Sequence, residues 1–305
     1  MLNIKHAWTV FLVTLVLVLP ARVYQLLFLL DAKKNTYKDG GMSTTVILSV
    51  LALSTILIII MCYKNKHAPK EFQPIKNVPT AIICALTGAA VIFHSFASMA
   101  EVKENAAQTT LSIIGAAAGS AQLQAMRVFL SFFGILAGLV ILITAYNFLQ
   151  GVNMFHHFPL VALVPPLWGC INLAVLFVTD TASVNVAENA FDMFTVIFTL
   201  LFLFAQSRLF AGIDVEKNTK SVYMFGLPCI VLALVTSLPG GLFTVLGKDT
   251  ASSLSTSSHI VNLCMAVYII LFLFSMQRSH LPAQKHGSVP KSKNADSPTK
   301  AIRKL

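Results

Sequence analysis

Residues 188–210, ENAFDMFTVIFTLLFLFAQSRLF, carry polar side chains at a spacing that could do chemistry. Glu188, Asp192, Thr195, Thr199 and Gln206 follow one another at gaps of 4, 3, 4 and 7. On a helix these positions form one stripe. Glu188 and Asp192 stand one turn apart, where like charges repel unless a cation lies between them or one carboxyl keeps its proton. Such a pair suits ion binding or proton exchange, and the hydroxyls below it extend a polar path. The competing reading is structural, with Glu188 at a water interface and the threonines bonded to their own backbone.

Other residues fall at the same depth. His94, Ser98 and Glu101 share a face by spacings of 4 and 3. Arg127 opens an apolar run, Asn172 lies inside another, and Asn262 inside a third. Arg22 sits two-thirds of the way along TVFLVTLVLVLPARVYQLLFLLD, residues 9–31, next to Pro20. Arginine at the centre of a bilayer costs at least about 2.5–3.5 kcal/mol on insertion scales. It therefore either snorkels to the surface or pairs with an acid, and Glu101, Glu188 and Asp192 are the acids expected at its depth. The binding candidates are Arg22, His94, Glu101, Arg127, Asn172, Glu188, Asp192 and Thr195. They form an expected polar cluster in one half of the membrane, with no counterpart expected in the other half.

The elements that must position these residues follow from composition. The 305-residue chain is 56% hydrophobic and 11% charged, with mean hydropathy +0.76, whereas soluble domains carry about 25% charged residues. A soluble core of this size has no room for so much apolar surface. A bilayer core of about 30 Å takes about 20 apolar residues as a helix. Eight segments meet that length, near 7–30, 43–62, 78–100, 126–149, 158–178, 187–207, 221–245 and 259–276. The expected fold is an all-α integral membrane protein, a bundle of about eight transmembrane helices over residues 1–278. A Lys-, Ser- and Pro-rich tail follows over 279–305, too polar to fold. Residues 1–21 also admit a second reading, as a cleaved export signal; the unbroken apolar run to Leu30 favours a retained span.

Fifteen Lys and Arg residues border the face carrying both termini, and five border the opposite face. The bias places both termini in the cytoplasm and explains the net charge of +10 without nucleic acid. The basic tail would rest on anionic lipid. Five cysteines, an odd number within apolar segments, read as small apolar fillers rather than a disulfide framework.

LVPPLWGC, FGLPCIV and SLPGGLF suggest helix breaks in the fifth and seventh spans, and broken spans are a pointer to transporter sites. Hairpins 158–210 and 221–280 share the matches CINLAVL with CIVLALV and LFLFAQSR with LFLFSMQR, which suggests a duplicated unit. The Gly- and Ala-rich segment 109–124 fits a surface or re-entrant helix. No phosphate-binding loop, dinucleotide fingerprint, HExxH, CxxC or glycosylation sequon occurs. No catalytic residue, metal or cofactor is assigned, and an enzyme is the least favoured class. The expected function is that of a permease-like transporter of a small solute or ion in the cell membrane. The alternative is a non-catalytic sensor, accessory or assembly subunit, with a membrane partner or a second copy of the chain.

Overall fold

In the computed structural model, the described residues are 5–31, 36–64, 72, 74–111, 117–180, 186–245 and 255–279. Eight helices dominate: α1 (Lys5–Tyr24), α2 (Met42–Tyr63), α3 (Val78–Leu111), α4 (Ala117–Gln150), α5 (Val164–Asp180), α6 (Val186–Phe210), α7 (Val215–Val245) and α8 (Thr256–Ser279). All eight include stretches long and apolar enough to cross a membrane. A π-helical turn, Gln25–Leu29, extends α1. A two-residue antiparallel pairing, Leu30 with Tyr37 and Asp31 with Thr36, follows it. The tail from residue 280 onward lies outside the described residues.

Helices α3, α4, α5, α6, α7 and α8 each pack on the next, and α8 returns to α3, closing a ring of six. The α1–α2 hairpin lies outside the ring and packs mainly on α7. Helix α7 is therefore covered from both sides. Inside the protein, 72% of its spanning window is buried, against 28% for α2. Trp8 near the start of α1 stacks on Phe274 near the end of α8, centroids 4.9 Å apart. The first and last helices thus have these ends side by side. The same end of the bundle is filled by Phe148, Phe155, Phe210 and Phe272, against which Phe72 folds back from the α2–α3 connection.

Many threonine hydroxyls inside the helices are satisfied locally. Thr14, Thr87, Thr144, Thr195, Thr199 and Thr236 each donate to the carbonyl four residues earlier. This is how a helix carries hydroxyls through a medium that offers no water.

Three sequence expectations change. Pro165 and Pro166 do not break the fifth span; they occupy the first turn of α5, where an amide proton has no helical acceptor. Helix α7 runs continuously through Pro228 and Pro239. Segment 109–124 is not an element of its own. Its ends continue α3 and α4, with residues 112–116 outside the described set. Each of these helices has 34 residues, about 51 Å at 1.5 Å per residue, well beyond a hydrocarbon core of about 30 Å.

The tightest helix crossing joins α3 and α4. A Cβ on Gly138 would lie 2.4 Å from Cγ1 of Ile92 and 2.8 Å from the Gly88 carbonyl oxygen. Gly138→Ala should lower the melting temperature in detergent by an amount equivalent to about 1–3 kcal/mol, the usual cost of overpacking. An unchanged melting curve would show that the two helices do not approach so closely.

Candidate functional site

The polar node around Arg22 is built where the α1–α2 hairpin meets α6. Arg22 is only 3% exposed, so it is not a surface-directed anchor. Its Nη1 donates to Oε1 of Gln25 at 2.7 Å and to the Tyr37 hydroxyl at 3.3 Å. The guanidinium carbon stands 4.7 Å from the centre of the Phe191 ring on α6. A cation over an aromatic face, out of water, is a favourable arrangement.

The local chain shapes this node. Arg22 and Gln25 are three residues apart and so share a helix face. The two-residue pairing after α1 turns the chain back and carries Tyr37 over Arg22. Gly40 and Gly41 then adopt φ of 66° and 89°, left-handed values that glycine takes without strain. The turn lets Asp39 cap α2, accepting from the amides of Gly41 at 3.1 Å and Ser43 at 2.8 Å. Gln25 Nε2 donates to Oγ of Ser43 at 3.0 Å and to the Thr44 hydroxyl. The Ser43 hydroxyl in turn bonds the Asp39 carboxylate. A relay therefore runs from buried cation to acid: Arg22, Gln25, Ser43, Asp39. Bonds from Ser43, first its hydroxyl and then its amide, hold the Asp39 carboxyl below its ordinary value of 3.8.

The candidates named from sequence are placed differently from one another. Asp192 is 3% exposed and follows Phe191 directly. Thr195 is buried one turn further along, bonded to the Phe191 carbonyl. The Glu188 side chain lies outside the described residues, so an Arg22–Glu188 pair cannot be followed there. His94 is on the α3–α8 seam, its Nδ1 2.9 Å from the Ser257 hydroxyl. Glu101 is exposed on α3, and Arg127 and Asn172 are half-buried on α4 and α5. Helices α1 and α3 belong to different parts of the bundle, so Arg22 and His94 serve two separate seams and not one cluster. Among the described residues, no group of three or more His, Cys, Asp and Glu comes together to hold a metal. The five cysteines are free thiols.

Sequence reasoning missed Gln25, Tyr37, Asp39, Ser43 and Thr44. Only Gln25 carried a signal, its i+3 spacing from Arg22. It also missed Thr144, Ser207 and Tyr268 toward the opposite end of the helices, where they border one cavity with Gln206 of the α6 stripe. Comparison of the chain with protein-family models, curated proteins and solved structures finds no match.

Two outcomes test the node. Gln25→Leu removes the acceptor of a charged donor and the link to α2. It should destabilise by about 1.5–3 kcal/mol, as expected for hydrogen bonds to charged groups, while Gln25→Glu retains an acceptor and should lose less. Calorimetry in lipid nanodiscs measures both. The Asp39 carboxyl has a depressed folded-state value, so its contribution is present above 3.8 and is lost as pH falls through the lower folded value. Melting temperature should fall on acidification within that window, and Asp39→Asn should flatten that part of the profile.

Proposed function

We propose that this polytopic membrane protein is a non-catalytic subunit, of the sensor, accessory or assembly type, working in the cell membrane with both termini in the cytoplasm. The observation that supports this reading most is the manner of Arg22 burial. Arg22 is 3% exposed, and its guanidinium bonds Gln25 and Tyr37 from the end of α1 and the α1–α2 turn and lies over an aromatic ring from α6. A cation so placed joins elements together. A carrier site needs a charge that can exchange its partner for a solute.

Two further features agree. Among the described residues, α7 runs through Pro228 and Pro239 without the mid-span break that midplane solute sites commonly use. The cavity in the ring measures about 20 Å³, against about 300–1,000 Å³ for sites that bury small organic ligands. One observation favours a permease as the second reading: that cavity is bordered by polar side chains from three helices.

Liposomes carrying the purified chain distinguish the two. A subunit should leave them as tight to sodium, potassium, protons and small neutral solutes as protein-free liposomes. In its native membrane it should migrate on native gels with a second membrane polypeptide in fixed stoichiometry. Protein-dependent flux, abolished by Gln206→Leu, would overturn the subunit reading in favour of a permease.

A further inference from the structure

The cavity inside the ring has a hydrogen-bonding character that selects its occupant. Its volume of about 20 Å³ exceeds the roughly 10–15 Å³ that one water requires. Thr144 of α4, Gln206 and Ser207 of α6 and Tyr268 of α8 border it, beside Phe155 and Phe210. Thr144 Oγ1 spends its proton on the Val140 carbonyl. Ser207 Oγ has one proton for the carbonyls of Ala162 and Leu203. Gln206 Nε2 donates to the Tyr268 hydroxyl. The hydroxyl protons of Thr144 and Ser207 are thus committed, while the lone pairs of both oxygens and of Gln206 Oε1 remain available. Gln206 is 5% exposed, and its Oε1 takes part in none of these bonds.

The site is therefore rich in acceptors and lined by no charged side chain. A cation entering it would leave water without a carboxylate to meet it, at a desolvation cost that nothing in the lining offsets. A neutral donor of one heavy atom meets no such cost. The geometry points to an ordered water bound in this cavity, donating to Gln206 Oε1 and to hydroxyl oxygen of Thr144 or Ser207. Helices α4 and α6 are not neighbours in the ring, since α5 stands between them. The water links them across the interior. A second observation lies one turn further along α4. Asn147 is 0% exposed, and neither its side-chain nitrogen nor its oxygen has a hydrogen-bond partner. Thr144 and Asn147 share a helix face, so the unmet polar capacity continues in that direction.

A high-resolution cryo-electron microscopy map of the full chain in nanodiscs tests this directly. It should show a density peak within hydrogen-bond distance of Gln206 Oε1. Radiolytic footprinting in ¹⁸O-labelled water gives an independent readout, because buried rings oxidise only beside bound water. Tyr268 and Phe210 should take up label in the wild type, and Gln206→Leu should reduce that label to background. An empty cavity with unlabelled rings in the wild type overturns the assignment. So does label that persists unchanged in Gln206→Leu. A peak that grows when sodium is replaced by rubidium identifies a cation and overturns the neutral ligand.

Discussion

A guanidinium keeps its charge at any pH a protein meets, and inside a lipid-embedded bundle it must be solvated by the protein itself. Arg22 imposes that requirement on the α1–α2 hairpin. Gln25, the first residue of the π-helical turn, supplies the acceptor. The chain reversal supplies Tyr37, and the cap of α2 supplies Ser43 and, through it, Asp39. Phe191 supplies a ring from α6. Turn, cap and helix contact are three local structures of different kinds, and one charge ties them together. Without it the hairpin would be two apolar helices with little to fix their orientation, because lipid solvates leucine as well as another helix does.

The division into ring and hairpin follows from how each part solves the polar-group problem. In the ring, many threonine hydroxyls turn back on their own helices, a few side chains such as Gln206 and Tyr223 bond across to α8, and glycines bring backbones close, as at Gly88 and Gly138. Such helices pack by shape. Beside α6, the hairpin is held by a directional network whose members come from residues 22 to 44. Helix α7 stands between the two regimes. Its two prolines weaken the backbone ladder, and the cover on both sides supports it.

The spans were legible in the sequence because a bilayer demands length and apolarity, and both are readable one residue at a time. Arg22 was legible as an anomaly for the same reason. Its partners were not. Tyr37, Asp39, Ser43 and Thr44 look like ordinary loop and cap residues until the turn at Gly40 and Gly41 brings them back to α1. The polar stripe on α6 was read correctly as a spacing, yet its members serve different neighbours: Thr199 bonds its own helix and Cys229 on α7, while Gln206 reaches Tyr268 on α8. Spacing shows which residues share a face. It does not show what that face meets. The proline motifs misled because a proline at a first turn and one in mid-helix look alike in sequence.

The packing of α1 and α2 on α7 also has a consequence in time. The hairpin is complete by residue 63, and its partner begins at residue 215. At a synthesis rate of about 5–20 residues per second, roughly 8–30 s pass before α7 exists. The stack of Trp8 on Phe274 waits longer still. Until residue 191 is made, Arg22 must rely on Gln25, Tyr37 and the lipid headgroups, since Phe191 does not yet exist. The bonds from Arg22 to Gln25 and onward to Ser43 need nothing beyond the first 44 residues. They let a nascent hairpin carry its charge in the membrane before the rest of the molecule arrives.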